Sequence, residues 1–202
     1  KDEVEAIQRI LGGSARLGNE ATEALFKQDA GSAGGRNRRT RYIHLATHGY
    51  FSACPSAKKD VTFIDPMSNS GIVFAGANSG GDGYDDGFLT ALEVLGLDLT
   101  NTELVTLSAC ESGLGELKGS EGVFGLKRSF LAAGTQSLLL SLWPVSDYWT
   151  KELMVKFYTN LKRGKAKSEA LREAKLEVMK NLNDTYGLPH PFFWSPFILV
   201  GD

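Results

Sequence analysis

Two short strings hold residue types that together could cut an acyl bond. His48 stands in Ala46-Thr47-His48-Gly49, and Cys110 in Ser108-Ala109-Cys110-Glu111-Ser112-Gly113. A cysteine sulfur is a strong nucleophile, and an imidazole brought beside it can take and return its proton. A free thiol titrates near about 8.5 and is only slightly ionised at neutral pH, so a neighbouring imidazolium would enrich the reactive thiolate. Ser108 and Ser112 flank Cys110 as small second neighbours and permit a sharp turn that exposes the thiol. The competing reading of Cys110 is a small buried hydrophobe, the usual fate of a free cysteine. Gly49 lets the backbone approach a substrate closely, with its amide available as a donor.

The elements that must position these residues are legible from apolar runs. Tyr42-Ile43-His44-Leu45-Ala46 precedes His48, and Leu104-Val105-Thr106-Leu107 precedes Cys110. Both read as buried strands, and sites in open α/β sheets form at the carboxyl ends of parallel strands. Val4, Ile7 and Leu11 recur at helical spacing and stop at Gly12-Gly13. Ala15-Arg16-Leu17 reads as a short strand, and Thr22 as the cap of a helix over 23–29. A strand is expected over 72–75. Thr90 and Glu93 fit a capping box at the start of a short helix that stops at Gly96. A helix carrying Val123, Leu126, Phe130 and Ala133 leads to a strand at Ser137–Leu142. Helices over 148–162 and 168–182 follow, and Phe197–Val200 closes the chain as a strand. Apolar strands alternating with helices predict a mostly parallel sheet covered on both faces, in one domain over 1–202.

Other residues suggest chemistry less well. The chain has 202 residues, 42% hydrophobic and 23% charged, with a net charge of −2. That balance offers no nucleic-acid footprint, which would need a basic face. The one basic run (Arg36, Arg38, Arg39, Arg41) reads as a solvated approach to the strand at 42. No apolar stretch is long enough to span a bilayer. Two cysteines, Cys54 and Cys110, make no disulfide framework and fit a reducing, cytoplasmic setting. Cys54 stands in a polar loop before Pro55 and reads as incidental. His44 lies inside the apolar run and reads as a hydrogen-bonded near-core histidine. On a strand it stands about 13 Å from His48, too far to share one ion, so no metal is expected. Gly113, Gly115 and Gly119 miss the dinucleotide spacing, so no cofactor is expected. Asp82, Asp86, Gly87 and Glu93 imitate a calcium loop, but Tyr84 replaces a ligand and no helix precedes it. The Ser108-x-Cys110-x-Ser112 string also resembles a hydrolase elbow. That alternative would pair Cys110 with His190 and an acid at Asp147 or Asp184.

Longer strings resemble the CHAT domain, a family of caspase-like cysteine peptidases of the caspase–separase clan. They run over 42–49 (YIHLATHG), 86–99 (DGFLTALEVLGLDL), 103–133 (ELVTLSACESGLGELKGSEGVFGLKRSFLAA), 141–147 (SLWPVSD) and 190–201 (HPFFWSPFILVG). The resemblance implies a three-layer α/β/α sandwich and a catalytic dyad of His48 and Cys110. It also implies a protein or peptide substrate and a regulatory region such as tetratricopeptide repeats in the full-length chain. The amides of Gly49 and Cys110 are the expected oxyanion donors, and Ser141 and Trp143, at the end of a strand, the expected substrate contacts. The two dyad side chains are expected to face each other across adjacent strand ends. The chain opens at Lys1 within a helical pattern, as a piece of a longer protein would, and family members carry one or more strands before that helix. In a 2-1-3-4-5 order such a strand would lie between Ala15–Leu17 and Tyr42–Thr47. An interaction domain with an idle dyad is the non-enzymatic alternative.

Overall fold

The computed structural model describes residues 1–31, 40–51, 67–79, 85–108, 119–143 and 146–201, without the side chains of Phe51 and 119–124. Cys54, Cys110, Arg36, Arg38, Arg39, Asp82, Tyr84, Ser112, Gly113 and Gly115 lie outside the described residues.

The expected strand ends and helices form. Helix α1 (Asp2–Leu11) carries Asp2, Glu3 and Glu5 in its first turn, where carboxylates suit the positive end of the helix. Gly12 closes it at φ 77°, its amide bonded to the Gln8 carbonyl. Helix α2 (Glu23–Ala30) is capped as expected, the Thr22 hydroxyl accepting from the Leu25 amide at 3.4 Å. Strand β1 (Tyr42–Leu45) leads directly to β2 (His48–Phe51). Strands β3 (Ser70–Val73) and β4 (Phe88–Thr90) follow, then α3 (Ala91–Val94), which carries the Thr90–Glu93 capping box. Strand β5 (Leu104–Leu107), α4 (Gly119–Ala132), β6 (Ser137–Ser141), α5 (Asp147–Lys162), α6 (Lys167–Tyr186), α7 (Pro191–Trp194) and β7 (Phe197–Gly201) complete the order.

The main sheet runs β1-β5-β6-β7. Strands β1, β5 and β6 are parallel, with Tyr42 opposite Leu104 and Val105 opposite Leu138. Strand β7 is antiparallel to β6. The reason is the pair of long helices between them: α5 leaves the carboxyl end of β6 and α6 returns to it, and after the single turn of α7 the chain re-enters the sheet from that end. Successive side chains along a strand face opposite sides. Leu104 and Leu139 pack with Leu153, Phe157, Leu171 and Val178 beneath α1, α5 and α6. Val105, Leu138 and Leu140 pack on the other face with Leu126 and Phe130 of α4. The result is the expected α/β/α sandwich with a mostly parallel sheet.

Some expectations are corrected. Ala15–Leu17 is irregular chain, not a strand. His48 does not merely follow a strand; it opens β2 of a second, antiparallel sheet, β2-β3-β4. Strand β4 and helix α7 are too short, at three and four residues, to show a period in sequence. The Arg41 and Leu45 carbonyls accept from β5-side amides. By alternation, the backbone groups of Tyr42 and His44 point to the opposite edge of β1. Among the described residues no strand pairs with that edge.

Candidate active site

Strands β1 and β5 are neighbours and stop at the same end of the sheet. The Ser108 amide donates to the Leu45 carbonyl at 2.9 Å, closing the ladder beyond the last strand residues. Leu45 lies three positions before His48, and Ser108 two before Cys110. The topology thus sends both chains outward from one edge, while Cys110 and Ala109 themselves lie outside the described residues.

His48 is exposed. It is opposite Val73, whose carbonyl also accepts from the Thr47 hydroxyl at 2.6 Å. That bond fixes the bend between β1 and β2 and so the direction in which His48 leaves the main sheet. Gly49 lies opposite Ile72 in the β2–β3 ladder. Strand β2 is an edge of its sheet, so every second amide along it points away from β3. A groove of about 610 Å³ runs along the edge of β1 that faces away from β5, between Leu17, Phe26 and Phe74, and reaches Thr47 and His48.

The other histidines are occupied. His44 is nearly buried, with Nδ1 3.0 Å from the Tyr158 hydroxyl and Nε2 3.0 Å from Glu3 Oε1. The Tyr158 hydroxyl lies 2.7 Å from Thr106 Oγ1. A proton on Nε2 directed at the Glu3 carboxylate leaves Nδ1 to accept from Tyr158, which in turn accepts from Thr106. This is the hydrogen-bonded histidine that its place in the apolar run implied. His190 caps α7: its Nδ1 accepts from the Phe192 amide at 3.2 Å. Among the described residues, neither Asp147 nor Asp184 bonds to it. The hydrolase alternative therefore finds its histidine holding a helix end.

Ser141 is buried as the last residue of β6, opposite Phe197. Trp143 follows it, half-buried, with Nε1 donating to the Phe192 carbonyl at 3.1 Å and its ring stacked on Phe192 at 6.5 Å. Both stand at the sheet end that carries His48. The two described carboxylates of the calcium-like string, Asp86 and Glu93, are used structurally. Asp86 accepts from the Phe88 amide, and Glu93 accepts from Thr90 and Lys27. Among the described residues no group of three His, Cys, Asp or Glu side chains could hold a metal ion. Arg41, the described member of the basic run, pairs with Glu103 at 2.8 Å and covers the Tyr42 ring. Sequence reasoning missed the Tyr158 bridge, because a tyrosine on a helix stripe looks like ordinary packing.

A family model for the CHAT domain matches residues 1–202, the whole chain. The chain belongs to the CHAT family. It is also 39% identical over 113 residues to tetratricopeptide repeat protein 28 of Homo sapiens, and 37% identical over 113 residues to the protein of that name from Mus musculus. Each match covers 56% of this chain, which spans 4% of the length of those relatives. CHAT membership agrees with the caspase-like sandwich and gives the domain peptidase ancestry. Among the described residues, no helix of this CHAT domain is long and apolar enough to cross a membrane.

Proposed function

We propose that this domain is a cysteine endopeptidase with a His48–Cys110 dyad. The observation that carries the reading is the Ser108–Leu45 bond, which joins the ends of the two strands that deliver those residues. Cys110 sulfur, as thiolate, adds to the scissile carbonyl carbon. The amides of Gly49 and Cys110 receive the charge that develops on oxygen, a contribution of roughly 3 kcal/mol for each donor. His48 protonates the leaving amine as the C–N bond breaks, leaving a thioester on Cys110. Water then attacks the thioester while His48 takes its proton, and the acid product leaves with the thiol restored. Ser141 and Trp143 flank the substrate at the end of β6. A reducing, cytoplasmic setting suits a free catalytic thiol. Tetratricopeptide repeats, for which the relatives are named, are the attached region proposed to regulate cleavage.

The test is peptide cleavage by single variants of the full-length protein. Cys110→Ala and His48→Ala should each abolish it, while Cys54→Ala and His190→Ala should retain it. Cleavage that survives His48→Ala but not His190→Ala would move the reading to a hydrolase. Full retention in Cys110→Ala would remove the dyad altogether, and no cleavage by the unaltered protein would leave an interaction domain, the second reading, which the repeat-bearing relatives favour.

A further inference from the structure

Eight large apolar side chains are exposed among the described residues, and five of them gather at one place: Leu142, Tyr148, Tyr186, Leu188 and Phe192. All belong to segments that meet where β6 stops. Leu142 follows β6 directly. Tyr148 is in the first turn of α5, which starts there, and Tyr186 is in the last turn of α6, which returns there. Leu188 leads to α7, and Phe192 is on it. Ring contacts tie them together. Tyr148 meets Trp149 edge-on at 5.0 Å, and Trp149 meets Tyr186 at 6.3 Å. Phe192 meets Phe193 at 5.3 Å and stacks on Trp143. Leu188 bridges the two groups along the chain. Clustered exposed aromatics of this kind mark binding surfaces rather than ordinary surface.

Two observations say what covers this shelf. The first is position. Strands β1, β5, β6 and β7 are consecutive in the sheet, and β1, β5 and β6 end on the same side. Neighbouring strands are about 4.8 Å apart, so the shelf over β6 and β7 begins about 5–10 Å from the end of β5. An extended polypeptide advances about 3.3 Å per residue, so that span is two or three residues from the bond at β5. The second is chemistry. The Trp143 indole N–H is already spent on the Phe192 carbonyl, and the Phe192 amide on His190. Apart from the Tyr148 and Tyr186 hydroxyls, the shelf side chains and Trp143 present ring faces and aliphatic surface.

We infer that this shelf seats a bulky apolar side chain of the protein substrate, two or three residues from the bond that is cut. The inference rests on the peptidase reading above. It makes Phe192, Tyr186 and Trp143 specificity residues, with Leu142, Tyr148 and Leu188 completing the surface.

The experiment is cleavage of a proteome-derived peptide library by the full-length protein, with cut sites read by mass spectrometry. Leu, Met, Phe, Tyr or Trp should be enriched at one position two or three residues from the cut. Phe192→Ala and, separately, Tyr186→Ala should lower kcat/KM for such a peptide about 10-fold or more, without affecting its counterpart with Ala at that position. Tyr186 is 66% exposed, so its removal gives up little buried area beyond its edge contact with Trp149. Cleavage with no apolar preference, or a preference unchanged in both variants, overturns the shelf while leaving the peptidase reading in place. Loss of a concentration-dependent dimer in both variants, with specificity unaltered, also overturns it and assigns the surface to a second copy. Absence of any Cys110-dependent cleavage overturns the peptidase reading and the shelf with it.

Discussion

Glu93 shows how one carboxylate can serve several structural ends at once. Its Oε2 accepts from the Thr90 amide at 2.9 Å and the Thr90 hydroxyl at 2.8 Å, and its Oε1 faces Lys27 Nζ at 3.1 Å. Lys27 also holds the buried Glu23 at 2.6 Å and Asp85 at 3.2 Å, and Glu23 accepts from the Gly87 amide. Gly87 must be glycine: at φ 87° an added Cβ would stand 2.5 Å from the Ala77 nitrogen. Partial burial works against the Glu93 charge, but the Thr90 bonds and Lys27 outweigh it and hold this carboxyl below the ordinary glutamate value of 4.5. Burial dominates at Glu23 and pushes it above that value, despite Lys27 and Gly87. The signs are therefore opposite. Stability from Glu93 is present above pH 4.5 and is lost as pH falls through its depressed folded value. Glu23 has the reverse effect, its strain growing as pH rises from 4.5 through its raised value. Glu93→Gln should cost about 1–2 kcal/mol at neutral pH, by weakening the cap and the charged bond to Lys27. It should also flatten the loss of stability below pH 4.5, as denaturant midpoints across that range would record. The Thr-x-x-Glu spacing made the cap legible in sequence. Glu23 and Lys27 were not legible as its partners, since an i,i+4 pair looks the same on any exposed helix face.

At the scale of elements, the bridge that matters joins α5 to two strands. His44 and Thr106 are register partners on β1 and β5, and the Tyr158 hydroxyl bonds to both. Glu3 extends the chain of bonds to α1. The strands whose ends lead to His48 and Cys110 are thus cross-braced from beneath, and burial raises the Tyr158 phenol well above the ordinary tyrosine value, keeping it a neutral donor. Tyr158→Phe keeps the ring in place but removes both bonds. It should lower stability by about 1–3 kcal/mol, as a falling thermal midpoint. If the brace aligns the strand ends, cleavage should also lose kcat with little change in KM. Phe at this position with full activity would make the brace purely structural. The apolar runs over 42–46 and 104–107 were enough to foresee both strands. They were not enough to show that β2 starts at His48, because His-Gly-Tyr-Phe has no clean alternation and its partner β3 lies beyond residues 52–66. Nor did they foresee the direction of β7, which depends on the parity of long helices before it rather than on its own residues.

Considered whole, the molecule separates support from exposure. One side of the main sheet is closed by α1, α5 and α6, the other by α4 with the second sheet, and both cores are built from strand residues that alternate between them. The layers follow from local rules and were legible. The candidate site was legible as two apolar runs whose described ends the structure brings side by side at Leu45 and Ser108. Beyond Trp143 the aromatic shelf was not, because its other members come from separate stretches and each alone is an ordinary tyrosine, leucine or phenylalanine. The same gathering has an optical consequence. The chain has three tryptophans, Trp143, Trp149 and Trp194, and all three stand at the end of the molecule where β6 stops. Trp149 is buried, while Trp143 and Trp194 are half-buried and hold the Phe192 and Pro189 carbonyls. Ultraviolet emission from this protein is therefore a local gauge of that end, and changes confined to α2, β3 or β4 should leave it dark to the detector. A peptide with a bulky apolar residue, added to Cys110→Ala so that it is not consumed, should shift the emission maximum and shield the indoles from acrylamide. Emission that stays constant as such a peptide is titrated would show that nothing settles there.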